Sequence, residues 1–431
     1  MKRKAKNYIW ALFFLSPNLL LFLVFVAFPL VFSVLMAFTN WDLSLHNQFR
    51  QAPLQWIGLR NFSDLFGHPD FWKYLWNTVF FMFAIPISIA GSLFLAVLLS
   101  RPLKVRRRAV RWPLFALSIV FFTALGFYLW GCGYGLIAFI FCTLAGIVLA
   151  LGFVTGSVVY RTMFYLPHFS AGVAIYLLWK QMYNPMYGPI NRLLEPVLTW
   201  LSGVVNSSPS FLWQGAGYFI MGAAALGILY MVFIALRGWA TGESESVTAV
   251  ASLVSVLLFG TILVGIGYAA VILPDIAADG LQPPNWLNEM GWAKPAIMIM
   301  GVWTAVGGNN MLLYIAGISN VPDQLYEAAD IDGASRWQKF LHVTWPQLAP
   351  TTFFIVVMSV IGGLQGGFEQ ARAMTEGGPF GATTTIAYYI YQEGFETGRL
   401  GFASAVAWVM FLMIFVMTLI NFKMGSKHVT E

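Results

Sequence analysis

Asn320-Val-Pro-Asp-Gln-Leu-Tyr-Glu-Ala-Ala-Asp-Ile-Asp-Gly-Ala-Ser-Arg-Trp-Gln-Lys-Phe-Leu-His-Val-Thr-Trp-Pro346 mixes acidic, basic and aromatic residues between two apolar runs, near 293–318 and 351–371. Pro322 suits a first helical position, where its missing N–H costs nothing, and Asp323 and Glu327 place negative charge near the positive end of the helix dipole. Leu325, Ala328, Ala329 and Ile331 give that helix an apolar side with two small residues. Asp332-Gly333 is a turn signal, since glycine adopts positive φ without penalty. A second short helix then carries Trp337, Phe340 and Leu341 at helical spacing and is expected to stop at Pro346. Two short helices joined by a glycine make a compact knob that another protein can grip.

The rest of the chain explains why such a knob stands out. Its 431 residues are 59% hydrophobic and 17% aromatic, and only 10% are charged. A soluble domain carries charge on roughly a quarter of its residues. Apolar stretches lie near 9–37, 76–100, 112–130, 134–156, 162–182, 214–236, 247–273, 293–318, 351–371 and 400–422. They are continuous and about twenty residues long, as helices that span hydrocarbon require, whereas barrel strands alternate over about ten. A water-soluble enzyme and an outer-membrane barrel are thereby excluded, and an all-α polytopic transmembrane helix bundle is expected. The N-terminal apolar run exceeds the core of a signal peptide, about 7–15 residues, and reads as a retained anchor.

Orientation follows the cations. With a cytosolic N-terminus the inner segments hold Lys2, Arg3, Lys4, Lys6, Arg101, Lys104, Arg106, Arg107, Arg108, Arg111, Arg161, Arg237, Arg336, Lys339, Lys423 and Lys427, which is 16 of the 24 Lys and Arg. That bias obeys the positive-inside rule and puts both termini and the knob in the cytosol. The net charge of +6 does not imply nucleic acid, because the cations flank apolar spans instead of forming a basic stripe with interleaved aromatics. Cys132 and Cys142 sit in apolar sequence as packing residues, and the five histidines are scattered, so no metal site is expected.

Glu327-Ala328-Ala329, three residues, Gly333, nine residues, then Val343-Thr344-Trp345-Pro346 resembles the cytosolic coupling motif of the permease subunits of binding-protein-dependent ABC importers. The family pattern is Glu-Ala-Ala, three residues, Gly, nine residues, Ile, any residue, Leu-Pro; here Val343 and Trp345 replace the Ile and the Leu. Ile57-Gly58-Leu59-Arg60-Asn61-Phe62 with Asn77-Thr78 is similar to the first external loop of the carbohydrate branch, the maltose and glycerol-phosphate permeases. So are Arg161-Thr162-Met163-Phe164-Tyr165-Leu166-Pro167, Asn184-Pro185-Met186-Tyr187-Gly188-Pro189-Ile190-Asn191 and Thr375-Glu376-Gly377-Gly378-Pro379.

The resemblance covers about residues 5–100, 158–205 and 290–425 and implies a six-helix importer core with about four additional helices. The expected segments are 1–100 (first helix, external loop, second core helix), 101–157 (basic loop and inserted helix pair), 158–205 (third core helix and external loop), 206–275 (second inserted pair) and 276–431 (C-terminal core helices with the coupling loop at 320–350). Each insertion adds an even number of crossings, so the core topology is unchanged, and both are expected at the periphery of the bundle.

No Gly-x-x-x-x-Gly-Lys-Ser/Thr occurs in the chain, so no ATP hydrolysis is expected of it alone. The resemblance implies two separate ATP-binding subunits that hold ATP and Mg, a second permease subunit and an extracytoplasmic solute-binding protein, in a bacterial inner membrane whose lipid surrounds the bundle. It assigns ATPase coupling to Glu327, Ala328, Ala329, Asp332, Gly333, Trp337 and Pro346. A substrate path is expected where polar or aromatic groups reach membrane depth: Trp303, Asn309 and Asn310 in the eighth span, Gln365 and Glu369 beside Gly362, Gly363, Gly366 and Gly367 in the ninth. No catalytic constellation is expected. The competing reading is an ion-coupled secondary transporter, which favours mid-span carboxylates that are nearly absent here.

Overall fold

An apolar run of about twenty residues satisfies its own backbone hydrogen bonds only as a helix, and the described parts of the ten apolar stretches are helical apart from short breaks, at Gly307-Gly308 and Gly366-Gly367 among others. The computed structural model describes residues 13–100, 108–131, 135–155, 157–169, 172–240 and 246–429. The basic residues Lys2, Arg3, Lys4, Lys6, Arg101, Lys104, Arg106 and Arg107, and Cys132, lie outside that set. Six described helices are long and apolar enough to cross a membrane: Phe13–Ala37, Pro69–Ser100, Trp112–Leu129, Ser210–Ile234, Met290–Ser319 and Leu400–Lys423. A bent pair, Arg336–Gln347 with Ala349–Gln365, meets the same test across a 63° turn. The chain is therefore an all-α polytopic bundle.

Prolines shape these helices without ending them. Pro29 and Pro346 each stand two residues beyond a five-residue π turn, Leu23–Ala27 and Phe340–Thr344. The wider turn relieves the clash between a proline ring and the carbonyl one turn back. The second short helix consequently does not stop at Pro346; the path runs on to Gln347 and bends at Leu348. Pro322, expected inside the preceding helix, is its extended cap residue, and the helix is Asp323–Ile331.

By contacts the chain forms two units, one of Met1–Leu178 with Ala293–Glu431 and one of Trp179–Trp292. In the first unit one buried cluster joins Leu95, Ala96 and Leu99 to Met311, Tyr314, Ile315, Leu348 and Ile355. A second joins Leu65 and Phe71 to Ile386, Tyr389, Phe402, Val406 and Val409. Arg161, expected to act as a topology cation, also donates from Nε and Nη2 to the Leu99 carbonyl at 3.1 and 2.7 Å. It thus caps Ala84–Ser100, where a cation opposes the negative end of the dipole.

Both insertions are helical hairpins closed through glycine. In Arg108–Leu129 with Gly135–Thr155, a Cβ on Gly146 would lie 2.6 Å from the Phe122 Cβ. In the second unit, Ser210–Ala240 meets Ser246–Ala277 where a Cβ on Gly217 would lie 2.5 Å from the Gly267 carbonyl oxygen. Such close approach replaces the hydrophobic drive that lipid cannot supply. Beside that hairpin, Trp286 donates to Asn191 Oδ1 at 2.6 Å and its ring meets Tyr183 at 5.2 Å.

Candidate functional site

The knob is held by local bonds that its sequence encodes. Asp323–Ile331 ends in paired backbone bonds, Gly333 N–H to the Asp330 carbonyl at 3.1 Å and Ala334 N–H to the Ala329 carbonyl at 2.9 Å. Closing a helix this way places the residue after the cap in the left-handed region, and Gly333 has φ +72°. Ser335 then caps Arg336–Lys339: its N–H donates to Gln338 Oε1 at 2.8 Å and its Oγ accepts from the Gln338 N–H at 3.4 Å. An ion pair between Asp330 and Lys339 spans the two helices. Tyr326 and the buried Thr344 share a hydroxyl bond of 2.9 Å.

What the knob presents is mixed in character. Glu327, Ala328, Asp332, Gly333 and Pro346 are exposed and Ala329 is half-buried. Ile331 is 88% and Trp337 67% exposed, with Trp337 stacked on Phe340 at 5.6 Å. All seven coupling candidates thus lie on one short, cross-braced segment. Ser335, Gln338 and the Asp330–Lys339 pair were not among them, although Ser-x-x-Gln is a legible capping signal.

Behind the knob the chain turns inward. Leu348 at the 63° bend is 0% exposed, packed with Leu99, Met311, Tyr314 and Ile315. Gly317 lets the neighbouring helix touch this bend, since a Cβ there would lie 2.8 Å from Leu348 Cδ2.

Further along, two glycine pairs interrupt spans. Met290–Ser319 breaks at Gly307-Gly308, between Met290–Val306 and Asn309–Ser319. A Cβ on Gly307 would lie 1.9 Å from the Phe164 carbonyl oxygen, so two backbones meet there directly. Ala349–Gln365 ends at Gly366, and Gly367 has φ +88° with the Thr385 side chain filling the space a Cβ would need. Gly366 and Gly367 were expected within the ninth span; they are the residues that end it.

Between these breaks lies a cavity of about 480 Å³. Thr78, Ser88, His168, Asn310, Ser359, Gln370 and Thr385 supply its polar atoms, while Phe81, Ile85, Ile297 and Met298 supply apolar wall. Gly301, Gly362, Gly363, Gly366 and Gly367 also line it, and among the described residues no Asp, Glu, Lys or Arg does. Of the five substrate-path candidates only Asn310 lines this space. Asn309 accepts from the Tyr165 hydroxyl at 3.2 Å, Trp303 is 47% exposed, and Gln365 and Glu369 are exposed outside the lining. Isolated serines and threonines in apolar helices gave no pattern by which to select the others.

Beside the lining residues Thr78 and Thr385, segments distant in sequence are joined. Asn77, fully buried, donates to the carbonyls of Gly381 and Thr384, both at 2.9 Å, and Thr78 Oγ1 accepts from the Ile386 N–H at 3.0 Å. Thr375 and Thr383 share a hydroxyl bond of 2.6 Å, and Thr383 donates to the Gly378 carbonyl. The Asn77-Thr78 and Thr375–Pro379 motifs are thus parts of one structure.

The model of the family described as binding-protein-dependent transport system inner membrane component matches residues 142–425. The probable ABC transporter permease protein YesP of Bacillus subtilis is 26% identical over 421 residues, 96% of this chain and 90% of the relative. The lactose transport system permease protein LacF of Rhizobium radiobacter is 26% identical over 413 residues, 95% and 91% of the two chains. The arabinooligosaccharides transport system permease protein AraP of Bacillus subtilis is 33% identical over 185 residues, 43% of this chain and 57% of the relative. Among solved structures, a bacterial ABC transporter involved in the import of the acidic polysaccharide alginate aligns over 98% of both chains, with a TM-score of 0.59 and 18% identity. That likeness concerns the fold.

Proposed function

The chain belongs to the family of binding-protein-dependent transport system inner membrane components, and from that premise we propose that it is the permease subunit of an ATP-driven importer of a sugar or related carbohydrate. Cargo is delivered by an extracytoplasmic binding protein. A second permease subunit completes the pathway, and two separate ATP-binding subunits hold ATP and Mg and supply the energy. The termini and the knob face the cytosol, in keeping with the cation bias.

The observation that carries this reading is the continuity between knob and cavity. The helical path from Arg336 to Gln347 bends at Leu348 and continues as Ala349–Gln365, a rod of about 25 Å at 1.5 Å per residue. The bend is packed into the core, and the far part of the rod supplies Ser359, Gly362 and Gly363 to the cavity wall. A partner that grips Glu327, Ile331 and Trp337 and moves on binding nucleotide therefore displaces a wall of the cavity. Two packings of this rod, differing in their contacts with the ATPase, supply the bistable element that coupling needs.

Reconstitution with the partner ATPase and binding protein tests the reading. Saccharide-loaded binding protein is expected to stimulate ATP turnover. Gly333→Val is expected to uncouple turnover from uptake while the chain still inserts, because a Cβ there meets nothing within 4 Å and only the left-handed backbone is disfavoured, by about 1–2 kcal/mol. Accumulation of solute against a gradient by the chain alone, without nucleotide, overturns the proposal in favour of an ion-coupled transporter.

A further inference from the structure

The importer reading leaves open what kind of carbohydrate passes, and the cavity restricts the answer. Relatives of comparable identity carry names of both uncharged and anionic cargo, lactose in one case and sn-glycerol-3-phosphate in another. Family membership therefore does not decide the charge of the cargo, and the decision falls to the lining.

Asn310 and Ser359 offer an amide and a hydroxyl, which donate and accept as sugar hydroxyls do, Ser88 keeps an accepting oxygen while donating to the Ala84 carbonyl at 2.9 Å, and Phe81 and Ile297 offer apolar surface to the C–H faces of a ring. Among the described lining residues the one titratable side chain is His168, whose ring lies against Gly308. Cations on neighbouring elements have other partners, Arg161 on the helix of His168 donating to the Leu99 carbonyl. Lys73 donates to the Phe380 carbonyl, Lys294 lies 5.3 Å from the centre of the Phe80 ring, and Arg372 lies 4.3 Å from that of Tyr391. A carboxylate or phosphate entering such a space loses its water and gains no Lys or Arg from the described lining of this chain, a penalty that hydroxyls avoid.

We propose that this cavity takes an uncharged saccharide and disfavours its uronic-acid or phosphorylated counterparts. The proposal rests on the importer reading and adds the substrate class to it. A volume of about 480 Å³ suits a short saccharide segment, within the range of roughly 300–1,000 Å³ common to small-molecule sites.

The test separates the permease from its delivery protein. The complete transporter in nanodiscs, with the binding protein omitted, is dialysed to equilibrium at millimolar concentration against a labelled neutral disaccharide and against the same disaccharide with one ring oxidised to the uronic acid. Binding of the neutral form at least about tenfold tighter supports the proposal. Equal binding, tighter binding of the uronate, or binding of neither overturns it. The importer reading is judged independently, by stimulation of ATP turnover on adding loaded binding protein.

Discussion

At the knob every turn is tied: a positive-φ glycine closes one helix, a capping box opens the next, and an ion pair and a hydroxyl bond brace them together. Around the cavity the same chain does the reverse, breaking two spans at glycine pairs and leaving neutral side chains around empty volume. The first region keeps its shape when pushed, because its bonds are local and redundant. The second is built on breaks in its helices, where glycine supplies backbone that other residues disfavour. On the proposed reading, force delivered to the braced part is expressed as movement of the cavity wall.

The largest effect that breaks this contrast is expected at Gly307. A Gly307→Leu side chain collides with the Phe164 backbone, so a loss at the upper end of the roughly 1–3 kcal/mol typical of overpacking is expected, read as poor recovery of monodisperse protein from detergent. Gly362→Ala, whose Cβ meets nothing within 4 Å, should be recovered normally. Similar recovery of both would show that the break does not depend on backbone contact.

At the knob, Glu327→Ala removes an exposed charge available to a partner. A charge-assisted hydrogen bond contributes about 1.5–3 kcal/mol, so ATP-driven uptake should fall about tenfold or more while saccharide binding in nanodiscs is unchanged. A parallel fall in binding would mean that knob and cavity are not separable. In the cavity, Asn310→Ala loses one neutral hydrogen-bonding group, and saccharide affinity should fall about fivefold, as about 1 kcal/mol implies. Trp303→Ala, outside the lining, should change affinity less; the opposite ranking would relocate the site.

The smallest effect is expected from Asp330→Asn. Its partner Lys339 is largely buried but Asp330 itself is mostly exposed, and exposed pairs contribute about 0–1 kcal/mol. Coupling should weaken slightly and recover when the charges are exchanged between the two positions. A loss as large as that of Glu327→Ala would make the brace itself the point of force transfer.

The knob was legible because its determinants are close in sequence. Gly333 marks the turn, Ser335 and Gln338 stand at capping distance, and the polar stretch contrasts with its apolar flanks. The cavity was legible only in part. The glycines of the ninth span were visible, but not that the helix ends there, with Gly367 at φ +88° and Thr385 in the space its Cβ would need. Asn309 and Asn310 are adjacent and chemically identical in sequence; one faces Tyr165 and the other the cavity, a difference set by the break at Gly307-Gly308. Pro346 misled as a stop because the π turn before it, which spares the helix, has no simple residue signature.

Hydrophobic length, charge placement and local capping are properties of neighbouring residues, and from them the sequence alone determined an all-α membrane bundle, its apolar stretches and the shape of the knob. The cavity, its neutral lining and the joining of Asn77 to Thr384 across the chain were decided by tertiary structure. Those features depend on which helices approach one another and where they break, and inside a membrane that is settled by packing between distant segments, not by hydropathy.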